Sequence, residues 1–280
     1  MKKLIQSNPV VSFVVITFFY SWTLWLLMIL SNKHLLPFYF PTNFLGSFGP
    51  AVGALIVTAF ISGKSGIKEI FRSLIRVKST PWAFAFSCLL IVVLYTLTYG
   101  IHALVEDAPI KLQPLQKIPE LIIYFLVVAL IGGPLGEEIG WRGFLQGRLM
   151  DRFSPLVTSL LISLLWFAWH LPLFWLEGAA QKGTSLFIFE LTVTAMTFLF
   201  TLLYIKTKGN LFQAVLFHTM INYISAILIP SLIPTSESDR AFGNIFTVVL
   251  LGAAVFFFLF YYKTFMKRKE PKTDFYNTSE

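Results

Sequence analysis

Two adjacent carboxylates, Glu137 and Glu138, stand in Gly-Glu-Glu-Ile-Gly-Trp-Arg just beyond an apolar run, Leu121 to Leu130. A carboxylate at membrane depth costs about 2–4 kcal/mol even on lenient insertion scales, so an acid placed there marks function. Glu138 and Arg142 are spaced i, i+4 in the favourable order and can neutralise each other. Glu137 points about 100° away on the same helix and has no such local partner. The spacing therefore assigns Glu138 and Arg142 to structural support. Glu137 is left as the free base, able to take a proton from water. Gly132-Gly-Pro134 precedes the pair, and Pro134 cannot donate to the carbonyl of Leu130. The helix is expected to loosen just before Glu137.

Two further polar groups lie in apolar segments. Trp166-Phe-Ala-Trp-His170-Leu-Pro172 puts Trp166 one turn before His170, as a stacking wall for the imidazole. His218-Thr-Met-Ile-Asn222 puts a histidine and an asparagine on one helix face. Both side chains donate hydrogen bonds, which suits the oxyanion that develops during acyl transfer. Either histidine alone would read as a packing residue, and the His218–Asn222 pair alone as glue between helices. Together with two glutamates, chemistry becomes the better explanation. His34 and His102 fall at span ends near water, and Glu190 reads as an acid placed near the interface.

The elements that must position these groups are membrane helices. The chain is 280 residues long, 56% hydrophobic and only 13% charged, with a mean hydropathy of +0.73. That composition is far too apolar for a soluble domain and points to an all-α polytopic membrane protein. Hydropathy gives eight spans: Val10–Leu30, Phe44–Ser62, Trp82–Leu104, Leu121–Gly136, Leu156–Leu176, Ser185–Ile205, Leu211–Leu232 and Phe242–Tyr262. The first run lacks a small-residue cleavage site and reads as a retained helix rather than a secretory signal. One helical membrane domain is expected over residues 1–262, with its reactive core at 121–232. A polar, disordered cytoplasmic tail is expected over 263–280. The lone Cys88 excludes an intramolecular disulfide framework and a cysteine-based metal site.

The net charge of +8 might suggest nucleic acid, but the basic residues are scattered over the loops between spans. No nucleic-acid partner is expected. With the amino terminus inside, most Lys and Arg residues fall on the inner side, leaving only Lys33, Lys111, Lys117, Lys182 and Arg240 outside. This asymmetry of about three to one orients the chain with both termini cytoplasmic. After the second span, Ile67, Ile70, Phe71, Leu74 and Ile75 recur at helical spacing, with Lys68, Arg72 and Arg76 on another face. That pattern predicts a helix lying in the interface, held by apolar burial and by anionic lipid. Gly49-Pro-Ala-Val-Gly53 predicts close helix packing in the second span.

In these motifs the chain resembles the CAAX-protease and bacteriocin-processing (CPBP) family of intramembrane proteases, which includes the type II CAAX prenyl endopeptidases. The family signature is Glu-Glu-x-x-x-Arg, then Phe-x-x-x-His, then His-x-x-x-Asn or Asp, on separate helices. Glu137-Glu138-Ile-Gly-Trp-Arg142 and His218-Thr-Met-Ile-Asn222 match in full, whereas Trp166 replaces the usual Phe before His170. The resemblance implies an endopeptidase acting on a membrane-associated peptide or protein in a bacterial-type cytoplasmic membrane. Glu137 and His170 would activate water, and His218 and Asn222 would steady the oxyanion. The family has been labelled metalloprotease, and a metal-free mechanism has also been argued for it. No cofactor is favoured here, because ligation by His218 would leave Asn222 as the one evident oxyanion donor. Zinc held by Glu137, His170 and His218 is the alternative. The rival functions are a non-catalytic membrane partner, such as a bacteriocin-immunity or scaffold protein, and a proton-coupled transporter. A binding module has no need of all four reactive groups. A transporter built from duplicated halves should show internal repeats, and the chain shows none.

Overall fold

The computed structural model describes residues 2–37, 43–105, 118–228 and 239–267. Its helices include eight that are long and apolar enough to cross a membrane, as the hydropathy requires. Among the described residues there is no strand. The chain is a multi-pass helical membrane protein.

The elements are α1 (Pro9–Asn32), α2 (Gly49–Leu74), α3 (Pro81–Val105), α4 (Ile118–Leu130), α5 (134–150), α6 (Pro155–Trp175), α7 (Leu186–Lys206), α8 (Leu211–Leu228), α9 (Asp239–Phe260) and the short α10 (Tyr262–Met266). Helices α4 and α5 together make the fourth span. Prolines open many of these elements: Pro9, Pro50, Pro81, Pro134 and Pro155 all lie within the first two helical positions. There the missing N–H had no partner to lose, and the ring presets a helical φ. Thr80 and Ser154 cap α3 and α6 by accepting from the backbone N–H groups of Ala83 and Val157.

The packing order forms a closed ring. Helix α1 lies on α2, α2 on α5, α5 on α8 and α8 on α3; then come α9, α7 and α6, and the end of α6 returns to α1. The last contact is fastened by Trp22, whose Nε1–H donates to the carbonyl of Trp169 at 3.0 Å, and by the Trp25–Trp169 ring contact. The outward faces carry Val11, Val15 and Phe19 on α1, Ile122, Leu126 and Leu130 on α4, and Val248, Val255 and Phe256 on α9, all exposed. Exposed apolar stripes of this length are the surface a bilayer covers.

Close approach sets the spacing of α1, α2 and α5. A Cβ on Gly49 would lie 1.9 Å from Ser21 Oγ, and one on Gly53 2.5 Å from Thr17 Oγ1. The tight packing expected of this pair is therefore made against α1. On the other side of α2, a Cβ on Gly140 of α5 would lie 2.3 Å from Pro50 Cβ and 2.6 Å from the Pro50 carbonyl oxygen. Since that obstacle is backbone, Gly140→Ala must push α5 off α2. We expect a loss of about 1–3 kcal/mol, read as a lower unfolding midpoint in detergent. An unchanged midpoint would show that α5 can slide at no cost.

Two helices differ in detail from their sequence reading. The interfacial segment is not a separate helix but the second leg of α2, which bends at Gly63 (φ 58°, ψ −151°). Its Ile70 is buried while Lys68, Arg72 and Arg76 are exposed. The expected disorder from Lys263 onward is corrected over its first residues. Tyr262–Met266 is helical because Phe265, 1% exposed, packs on Phe198 and Phe258. The remainder of the expected tail, from 268, lies outside the described residues.

Candidate active site

The helix carrying the glutamates does not merely loosen. Helix α4 ends at Leu130, and α5 begins at Pro134 after Gly133, which takes φ 108°. Only glycine adopts that conformation cheaply, so Gly132-Gly133-Pro134 is a stop followed by a restart. The break places Glu137 in the first turn of α5, where helix N-terminal partial charge favours a carboxylate. Around Trp141–Gln146 the helix widens into a π turn that carries Arg142, a local form often found at functional sites.

Glu138 is fully buried and held from two sides. Its Oε1 accepts from Arg142 Nη1 at 3.0 Å and lies 2.7 Å from His218 Nδ1. The i, i+4 ion pair expected from the spacing is thus formed, and α8 is tied into it across 80 residues of sequence. The Arg142 guanidinium lies over the Phe200 ring at 3.7 Å and the Trp166 ring at 4.8 Å. Aromatic faces partly replace the water that the buried cation has lost.

Glu137 faces the other way. Its Oε2 accepts from Trp166 Nε1 at 2.7 Å, a contact between α5 and α6. Trp166 is more than the wall expected for His170. Its indole N–H holds Glu137, and its backbone carbonyl lies 2.7 Å from His170 Nδ1. Its ring meets the edge of His218 at 5.6 Å between centroids. Both histidines therefore have Nδ1 committed, His170 to a carbonyl and His218 to a carboxylate. Each partner can only accept, so Nδ1 carries the proton and Nε2 is the atom left for chemistry.

Glu137, His170, His218 and Asn222 line one cavity of about 410 Å³. Trp166, Trp169, Leu173, Phe189, Val193 and Met196 supply most of its apolar wall, and Ser47 and Gly132 lie at its edge. Asn222 is half-buried, and its Nδ2 donates to the Gly132 carbonyl at 3.5 Å. Glu138 and Arg142 stand behind the wall, and Arg142 lines a different cavity on the far side. Glu190 does not join the cavity; it accepts from Thr194 Oγ1 at 3.1 Å. His102 packs against Phe242 of α9. Sequence reasoning missed Ser47, whose type carries no signal, the place of Gly132 on the cavity wall, and the donor role of the Trp166 indole. The one available signal was that tryptophan, unlike phenylalanine, has an N–H.

Among the described residues, no three His, Cys, Asp or Glu side chains gather as a metal-binding group. The donors named for zinc, Glu137, His170 and His218, share a wall without converging in that way, so they do not fit such a centre as arranged.

Every motif residue that meets at this cavity falls within residues 119–224, and that segment matches the family model described as type II CAAX prenyl endopeptidase Rce1-like. Over that segment the chain is similar to the type II CAAX prenyl endopeptidases. A relative named CAAX prenyl protease 2, from Methanococcus maripaludis, is 30% identical over 98 residues, which is 33% of this chain and 36% of the relative. The chain thus matches little more than a third of that relative's length.

Against the family pattern, the tryptophan at 166 gains a meaning. A phenylalanine there would fill similar space but could not donate to Glu137. Trp166→Phe removes one hydrogen bond to a buried carboxylate, a contact of about 1.5–3 kcal/mol. We expect turnover to fall roughly 10- to 100-fold and the unfolding midpoint to drop with the lost bond. Wild-type turnover in Trp166→Phe would show that Glu137 is positioned without the indole.

Proposed function

We propose that this chain is an intramembrane endopeptidase that cleaves a membrane-associated peptide or protein, in a bacterial-type cytoplasmic membrane, without a metal. The observation that carries this reading is the meeting of Glu137, His170, His218 and Asn222, from three helices, on one cavity inside the bundle. A scaffold or immunity protein has no use for that constellation.

In the proposed reaction a water molecule lies between Glu137 and His170 Nε2. Glu137 takes its proton as the oxygen attacks the scissile carbonyl carbon, and the new C–O bond leaves negative charge on the carbonyl oxygen. Asn222 Nδ2–H and His218 Nε2–H donate to that oxyanion. Donation from His218 requires a proton on Nε2 as well as on Nδ1, which lies 2.7 Å from the Glu138 carboxylate. Collapse of the intermediate breaks the C–N bond, and the proton held by Glu137 passes to the leaving amine. Arg142 holds Glu138 in place through the 3.0 Å ion pair, and Trp166 aims Glu137. The hydrogen bonds support the same division of labour: Glu138 accepts from a guanidinium at 3.0 Å, whereas Glu137 accepts from the neutral Trp166 indole at 2.7 Å.

The test combines a chelator titration with elemental analysis of the active, purified protein. Cleavage that persists through chelation supports the mechanism. Stoichiometric zinc whose removal reversibly stops cleavage overturns it and makes Glu137, His170 and His218 the ligands.

A further inference from the structure

A second cavity, of about 360 Å³, lies on the other side of Arg142. The bend at Gly63 brings the second leg of α2 onto the turn between α7 and α8, where side chains fasten it. Ser73 Oγ donates to the Gly209 carbonyl at 3.2 Å and accepts from the Leu211 N–H at 3.1 Å. Asn210 Nδ2 donates to the Arg76 carbonyl at 3.0 Å. Three pinned segments therefore wall the cavity: the second leg of α2, the π turn of α5 and the α7–α8 turn. It is preformed, and its volume is that of a small-ligand pocket.

Its wall is charged with one sign. Arg72, Arg76, Arg142, Arg148 and Lys208 meet a single carboxylate there, Glu69, which Arg72 holds at 3.0 Å. Glu138 answers Arg142, and Arg148 lies over the Phe144 ring with Asp151 nearby. Among the described residues, neither Arg76 nor Lys208 has a carboxylate within ion-pair distance. Cations gathered in one concavity repel each other and raise the local concentration of anions. Buried groups on the same wall are also unsatisfied. Arg142 is 2% exposed and Thr58 4%, yet Arg142 Nε and Nη2 and Thr58 Oγ1 have no hydrogen-bond partner. Polar atoms so deeply buried are nearly always paired. A wall of cations with spare donors is matched to an oxyanion.

We propose that this cavity binds the phosphate of an anionic phospholipid, with Arg76 and Lys208 as its principal charged contacts. A guanidinium offers phosphate oxygens a fork of N–H donors, and an ammonium adds a point charge. The lipid source follows from what flanks the arginines. Phe71, Ile75 and Val77 are 49%, 77% and 52% exposed. Acyl chains cover those apolar side chains while the headgroup phosphate enters the cavity. This site shares no lining residue with the catalytic cavity, and the Glu138–Arg142 pair separates the two. Binding here does not require that the chain be a peptidase.

The full chain, purified in neutral detergent, is titrated with short-chain phosphatidylglycerol, with phosphatidylcholine of the same chain length, and with inorganic phosphate. Bound lipid is counted by native mass spectrometry. Phosphatidylglycerol should occupy one saturable site at least 10-fold more tightly than phosphatidylcholine. Arg76→Gln/Lys208→Asn should weaken that binding about 30-fold, at about fivefold for each charge lost. Asparagine suits position 208 because Lys208 takes φ 54°. Lys64→Gln/Lys68→Gln removes two exposed lysines from the same leg that do not line the cavity, and should change affinity less than threefold. Equal losses in the two double variants would reduce the effect to diffuse charge and overturn the site. Equal binding of the two lipids by the wild-type chain would overturn it as well, whether or not the variants fold. Inorganic phosphate binding as tightly as phosphatidylglycerol would overturn the lipid as the occupant.

Discussion

Replacing Glu137 with Gln should lower turnover by about 10²–10⁴, the range that a positioned general base contributes, while leaving the fold intact. The amide oxygen of Gln can still accept from Trp166 Nε1, which now meets Glu137 Oε2 at 2.7 Å, so the α5–α6 contact survives. What disappears is the capacity to take a proton from water. Substrate affinity should change little, because the proton moves only as the transition state forms. The measurement is single-turnover cleavage by purified protein, alongside its unfolding midpoint. Wild-type turnover in Glu137→Gln would remove Glu137 from the chemistry and return the question to Glu138.

The second large effect is on stability. Arg142→Met removes a guanidinium that is 2% exposed and leaves the Glu138 carboxylate, itself 0% exposed, beside His218 at 2.7 Å. Breaking a buried pair from one side typically costs about 3–5 kcal/mol, since the surviving charge has no water to turn to. We therefore expect a large drop in the unfolding midpoint in detergent or lipid. The double variant Glu138→Gln/Arg142→Met should recover much of the loss, because it removes both charges together. Equal losses in the single and double variants would mean that the guanidinium matters through its packing on Phe200 and Trp166 rather than through its charge.

These two expectations rest on different kinds of information. The Glu138–Arg142 pair was legible because both residues lie on one helix four positions apart, where helical geometry alone brings them together. The eight spans were legible for a similarly local reason: each is an uninterrupted apolar run of bilayer length. The break before Glu137 was half legible. Pro134 announced a disturbance, but Gly132 and Gly133 were needed to end one helix and start another, and the positive φ of Gly133 is a property of the folded chain.

The contacts that turn four polar residues into one site were not local. Glu137 and Trp166 are 29 residues apart, and Glu138 and His218 are 80 apart. Whether those pairs touch depends on which helix packs on which. That order is set by close approaches such as Gly140 on Pro50 and Gly49 on Ser21. Spacing put His218 and Asn222 on one helix face, yet it could not reveal that His218 spends its Nδ1 on Glu138 rather than on a substrate. It likewise showed Trp166 beside His170 but left hidden that the indole N–H points at Glu137. Helical periodicity determines which residues share a face, and the sequence therefore determined the candidates. Only tertiary packing decides which faces meet, and it alone decided that the Glu137 face turns to the cavity and that His218 joins the Glu138–Arg142 pair.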